Sequence, residues 1–228
     1  MNKIILIVAA HPDDEVLGCG GTIARLTGEG HDVYVAILGE GITSRYDQRN
    51  QADKNTVEAL KPCSQQVVDL FGAKKLFMFG LPDNRFDTIP LLDVTKIIEG
   101  LIEEVKPKTV YTHHSGDLNI DHSIVHRATL TASRPVPGNI VKKIYAYEVP
   151  SSTEWAFNQV WNNFRPNVFI DISETLEKKI EAMGMYQSEV RSFPHPRSAE
   201  ALRTIAKRWG SVAGLEAAEA FELIREIK

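Results

Sequence analysis

Two short stretches of this sequence carry residue types and spacings that could do chemistry. In Ala10-His11-Pro12-Asp13-Asp14-Glu15, one imidazole and three carboxylates stand side by side. His11 and Asp14 are three residues apart across a proline turn, so both side chains can reach one ion. Asp13 stays uncoordinated between them, close enough to act on a bound water. Histidine and carboxylate ligands around a divalent ion with an open position are the recipe for metal-assisted hydrolysis. A plainer reading makes Asp13 or Asp14 the cap of a following helix, and a matching ligand elsewhere decides between the two. The second stretch supplies candidates. His113, His114, His122 and His126 are four of the chain's seven histidines. His122 and His126, at i and i+4, share a helix face. No Glu follows His122 as in the HExxH pattern, which argues against a zincin.

The elements that position these residues follow from hydrophobic patterning. An uncharged run over 4–10, rich in β-branched residues, predicts a strand buried on both faces and leading into His11. A helix over 15–29 follows, interrupted by Gly18, Gly20 and Gly21. Three carboxylates at its start would repel a pyrophosphate, so this is not a dinucleotide fingerprint. Strands are expected over 31–38, 74–79, 108–112, 140–147 and 168–172. Helices are expected over 48–71, broken near Pro62, and over 90–105, 174–186 and 198–210. Residues 153–161 read as a loop or short helix, and 214–221 as a short strand or helix. Loops after parallel strands hold ligands in open α/β sheets. Arg45, Asp83 and Asn84 fall in such loops and suit hydroxyl or anion recognition. Arg197 lies in a proline-bearing loop and suits the same role, or anchors the last helix.

The whole chain limits what this chemistry can serve. Its 228 residues, 43% hydrophobic and 25% charged, suit one α/β domain over 1–228 with a substantial core. A net charge of -4 without a dense basic run gives no sign of nucleic-acid binding. Apolar runs are of strand length, which argues against a membrane span, and the first of them ends in His-Pro-Asp-Asp and not in a signal-peptide cleavage site. Cys19 and Cys63 form neither a CxxC motif nor a disulfide framework. A reducing cytoplasm is the expected setting.

The pairing of Ala10-His11-Pro12-Asp13-Asp14-Glu15 with Gly116-Asp117-Leu118-Asn119-Ile120-Asp121-His122, about a hundred residues later, resembles the LmbE-like, or PIG-L, metal-dependent deacetylases. His195-Pro196-Arg197-Ser198 and Ala218-Glu219-Ala220-Phe221 are similar to segments of one bacterial branch, so the resemblance spans nearly the whole chain. It implies a three-layer αβα sandwich with a Rossmann-like, mostly parallel sheet and one zinc. It implies hydrolysis of an N-acetyl group on an N-acetylglucosamine-type sugar or its conjugate. Carried over by motif position, His11, Asp14 and His122 are the implied zinc ligands and Asp13 the general base. A second assignment would put His126 on the metal, with Asp121 and His122 behind it. Many members have a histidine three residues before the last ligand, where this chain has Asn119. Asn119 donates a hydrogen bond but carries no proton, so His114, directly after its strand, is the first stand-in for the acid, with His126 and His195 behind it. His/His/Asp donors also accept Fe(II), Co(II) or Mn(II). Family members are often multimeric, so a homo-oligomer is expected. A zinc amidase acting on a thiol-sugar conjugate, and a non-catalytic Rossmann-like binding module, are the competing readings.

Overall fold

The computed structural model describes residues 3–157 and 163–228. β1 (Ile4–Ala9) lies in a seven-stranded sheet with β2 (Asp32–Gly39), β3 (Lys75–Leu81), β4 (Thr109–His113), β5 (Lys143–Tyr147), β6 (Val168–Asp171) and β7 (Ala218–Glu226). The order is β3-β2-β1-β4-β5-β7-β6. The first five of these strands pair in parallel, and β7 runs antiparallel to both β5 and β6. The segment over 214–221, open between strand and helix in the sequence, is therefore strand from Ala218 onward.

β1 shows why the fold has three layers. Its odd residues Ile5, Ile7 and Ala9 pack with α1 (Asp14–Gly28), α2 (Lys54–Phe71) and α5 (Leu176–Met185). Its even residues Leu6 and Val8, with Ala10, pack with α3 (Leu91–Val105) and α4 (Ile120–Ala132). Alternation with a period of two makes one uncharged strand the midline of both cores. α6 (Ala199–Ala213) packs beside α5 against β6 and β7. No helix among the described residues is long and apolar enough to cross a membrane.

One expectation about local structure needs correction. Residues 48–71 do not form a helix broken at Pro62. α2 begins at Lys54, where the Asp53 side chain accepts from the Asn55 N–H at 3.2 Å, and it runs through Pro62 to Phe71. Pro62 and Glu58 are both exposed, so water can serve the carbonyl that proline leaves without a donor. Residues 153–161 contain a single turn of 3-10 helix at Glu154–Ala156, and 158–161 fall outside the described residues.

α1 is pressed closely against its neighbours. A Cβ on Gly18 would stand 2.2 Å from the Tyr147 ring, and one on Gly21 would stand 2.8 Å from Ile172. A buried ion pair grips the same turns. Glu219 of β7 accepts from the backbone N–H groups of Gly21 and Thr22. Lys179 of α5 donates to Glu219 at 2.6 Å and to the Leu17 carbonyl at 2.8 Å. This fixes the position of the helix whose first residue is Asp14. Gly18→Ala is expected to lower stability by roughly 1–3 kcal/mol through overpacking against Tyr147. Equilibrium denaturation checks this, and an unchanged midpoint would show that the contact is soft.

Candidate active site and metal centre

The strand order reverses direction at β1, with β2 on one side and β4 on the other, which opens a crevice at their carboxyl ends. The turn after β1 carries His11, Pro12 and Asp13, and α4, which follows β4, carries His122. Three ligand atoms meet there. His11 Nδ1 and Asp14 Oδ2 are 3.4 Å apart, His122 Nε2 and Asp14 Oδ2 are 3.3 Å apart, and the two imidazole nitrogens are 3.4 Å apart. All three residues are buried. Donors about 2.0–2.1 Å from a common ion at near-tetrahedral angles stand roughly 3.3–3.4 Å from one another. The triangle therefore has the edge lengths of three corners of a zinc-type site.

The far side of each imidazole fixes which nitrogen faces the triangle. His11 Nε2 lies 2.8 Å from Asp121 Oδ2 and 3.2 Å from Asp83 Oδ1. Ionised carboxylates only accept, so this nitrogen carries the proton and Nδ1 presents its lone pair. Asp121 is itself pinned by the N–H groups of Asn84 at 2.7 Å and Phe86 at 2.9 Å. His122 Nδ1 lies 3.1 Å from Asp117 Oδ1. Asp117 in turn accepts from Ser152, from Thr153 at 2.6 Å and from the Asn119 N–H. One nitrogen of each imidazole and a carboxylate oxygen thus converge, an arrangement that calls for a positive charge, on the rings or on an ion, at its centre.

The electrostatics agree. Burial works against charge on His122, yet Asp14 and Asp117 push it up to about 9. Burial likewise opposes charge on His11, which Asp121 and Asp14 raise well above the ordinary histidine value. Asp14 is held well below the usual carboxylate range by His122 and His113 in spite of burial. Asp117 is drawn down to about 2 by His122 and the two hydroxyls, again against burial.

Asp13 occupies the N-cap position of α1 with φ 110°, a left-handed conformation that disfavours side chains. Its carbonyl accepts from Val16 and Leu17, and its N–H donates to Glu15 Oε2 at 3.1 Å, so the backbone is tied down. Its side chain makes no cap bond and is instead turned toward Arg197, whose Nη1 donates to Asp13 Oδ2 at 2.8 Å. Burial pushes the Asp13 carboxyl well above its ordinary range, and Arg197 opposes that rise.

A cleft of about 210 Å³ opens over the triangle, and its lining includes His11, Asp13, Arg45, Asp83, Asn84, Asn119, His122 and Arg197. The sequence-predicted set is therefore brought together, with one exception. His114 is not among the lining residues; its Nδ1 lies 2.7 Å from Glu222 and its ring meets Phe164 edge-on. His126 sits one turn beyond His122, with Nδ1 2.8 Å from the His113 carbonyl, and belongs to neither of the potential metal-holding groups found among the described residues. Arg45 and Arg197 both bind Glu189, and Arg197 Nε donates to Ser151 at 2.7 Å. Asn119 caps α4, with Oδ1 accepting from the Asp121 N–H at 2.9 Å. Glu189 and Ser151 carry no motif, and nothing local in the sequence marks them.

Several known proteins resemble this chain. The model of the family described as PIG-L, GlcNAc-PI de-N-acetylase, matches residues 6–133. The uncharacterized deacetylase YaiS of Escherichia coli is 30% identical over 181 residues, which cover 75% of this chain and 83% of that protein. A probable N-acetyl-alpha-D-glucosaminyl L-malate deacetylase of Bacillus cereus is 28% identical, covering 85% of this chain and 86% of its own length. In fold, the N,N'-diacetylchitobiose deacetylase of Pyrococcus horikoshii superposes with a TM-score of 0.77 at 21% identity, over 97% of this chain and 83% of that one.

Removing one carboxylate behind a ligand tests the metal centre. Asp121→Asn is expected to weaken zinc binding by about 10–100-fold, because His11 loses its anionic partner. Competition with a chromophoric chelator reads this directly, and unchanged affinity would count against the triangle as the site.

Proposed function

The chain belongs to the PIG-L family and is a deacetylase, a hydrolase of amide bonds; from that premise we propose that it removes the acetyl group from an N-acetylglucosamine-type amino sugar or its conjugate. The observation that carries this reading is the open triangle of His11, Asp14 and His122 with the carboxylate of Asp13, held by Arg197, beside it. These three residues would hold a divalent ion, zinc by donor geometry, with Fe(II), Co(II) or Mn(II) accepted by the same donors. When bound, such an ion would supply Lewis-acid chemistry, polarising an acetyl carbonyl and lowering the pKa of a water.

The chain's own residues do the rest. Asp13 accepts the proton as water oxygen bonds to the acetyl carbon. Its burial makes it a stronger base than a solvated aspartate, and Arg197 holds it in position. When the carbon–nitrogen bond breaks, Asp13 returns the proton to the leaving amine, giving acetate and a free amino sugar. Asn119, whose Oδ1 is occupied by the helix cap, has its amide N–H groups left to donate to the developing oxyanion. Arg45, Asn84 and Asp83 line the cleft where sugar hydroxyls would lie. His114, expected from the sequence as an acid, is not among the cleft-lining residues and pairs with Glu222.

The purified, metal-loaded chain is expected to release acetate from N-acetyl sugars and to lose activity on chelation. Asp13→Asn should lower kcat by about 10²–10⁴-fold while about one metal per chain stays bound. Turnover that survives Asp13→Asn would remove the base from the mechanism. No acetate from any N-acetyl sugar would remove the substrate class.

A further inference from the structure

A second cavity of about 410 Å³ lies beside the cleft, walled mainly by Pro150, Phe164, Phe193, Pro196, Ile205 and Trp209. It follows α6 from Ala201 to Trp209, roughly 12 Å of helix. Pro150 and Thr153 face this groove, whereas Ser151 and Ser152 between them face the cleft. Pro196 lines the groove and its neighbour Arg197, which holds Asp13, lines the cleft. The two cavities thus share a wall about one residue thick along two separate chain segments.

The character of the cavities differs. The cleft presents Asp13, Arg45, Asn84, Asn119 and Ser151, groups that suit hydroxyls and an acetamide. The groove is mostly apolar, with Glu148, Thr153, Glu154, Thr204 and Arg208 as the polar members of its lining. Most polar groups of its lining have partners, since the Trp209 indole N–H donates to Glu148, Thr153 donates to Asp117, Thr204 donates to the Glu200 carbonyl and Glu154 accepts from the Ser151 N–H, while the Arg208 guanidinium lies 4.0 Å over the Trp209 ring. Phe193, which lines the groove, is 58% exposed, and Trp155, two residues beyond Thr153, is 39% exposed. The Trp155 and His195 rings meet edge-on at 5.6 Å and join the two wall segments. Apolar side chains clustered in this way on an accessible surface mark a binding site, and the volume is that of a small-molecule subsite.

We propose that the groove receives an apolar aglycone, an alkyl or aryl group joined to the amino sugar whose acetamide occupies the cleft. This inference rests on the deacetylase reading of the cleft. A polar occupant, such as a second sugar or an organic acid, would find few free hydrogen-bonding groups along the groove. An alkyl or aryl group leaves none of its own unsatisfied.

The test compares acetate release by the zinc-loaded chain from N-acetylglucosamine and its methyl and octyl β-glycosides, with the octyl compound kept below its micelle concentration. The octyl glycoside is expected to exceed the methyl glycoside in kcat/KM by at least roughly tenfold, mostly through KM. Phe193→Ser and Thr204→Arg, both at exposed positions bordering the groove, are expected to bring that ratio toward one. Equal values in the unmodified chain, or a ratio that neither variant moves, would overturn the inference while leaving the deacetylase intact. If no compound releases acetate, the cleft reading fails. Calorimetric binding then still judges the groove, which stands only if the octyl glycoside binds more tightly than the methyl one and Thr204→Arg abolishes the difference.

Discussion

The constraint that shapes this molecule is buried negative charge. The carboxylates of Asp13, Asp14, Glu15, Asp83, Asp117, Asp121 and Glu189 are all buried around one cleft. An unpaired buried carboxylate costs several kcal/mol, so each must find a donor or a cation. Backbone N–H groups satisfy Asp121, hydroxyls satisfy Asp117, and Arg197 serves Asp13 and Glu189. The lone pairs of His11, Asp14 and His122 are left facing one another, and a divalent ion is the partner that suits all three.

The scaffold holds that arrangement through elements far from it. α1 delivers Asp13 and Asp14, and it is fixed by close glycine packing and by the buried Lys179–Glu219 pair from α5 and β7. Glu15, the next residue along, accepts from the Tyr186 hydroxyl at 2.6 Å, and burial raises it to about 7. The antiparallel β7 is thus part of how the turn carrying His11 and Asp13 is held, although it contributes no side chain to the cleft lining. Two independent supports, one behind the helix and one at its first turn, keep Asp13 in a conformation that an unsupported chain would avoid.

Arg197 illustrates how a residue's role depends on its partners. In an exposed loop an arginine of this kind would recognise a substrate anion. Here it bonds to Asp13, Glu189 and Ser151, so it orients the carboxylate proposed as the base while forming one wall of the cleft. The same segment forms the wall of the apolar groove, so the residue that holds Asp13 and a wall of the second cavity stand on one stretch of chain.

Much of this was legible in the sequence, because it is local. The uncharged, β-branched run before His11 dictates a strand buried on both faces, and the i, i+3 spacing of His11 and Asp14 across a proline allows both to reach one point. The motif around Asp117–His122 supplies the third donor by resemblance, and the α/β class follows from alternating strand and helix patterns. What the tertiary structure alone decided are the meetings across long stretches of chain. Asp13 finds Arg197, His11 finds Asp121, and Glu219 grips Gly21 because of strand order and register, which no local pattern encodes. The displacement of His114 onto Glu222, and the passage of α2 through Pro62, were decided in the same way, by which neighbours and how much solvent the finished fold places around each residue.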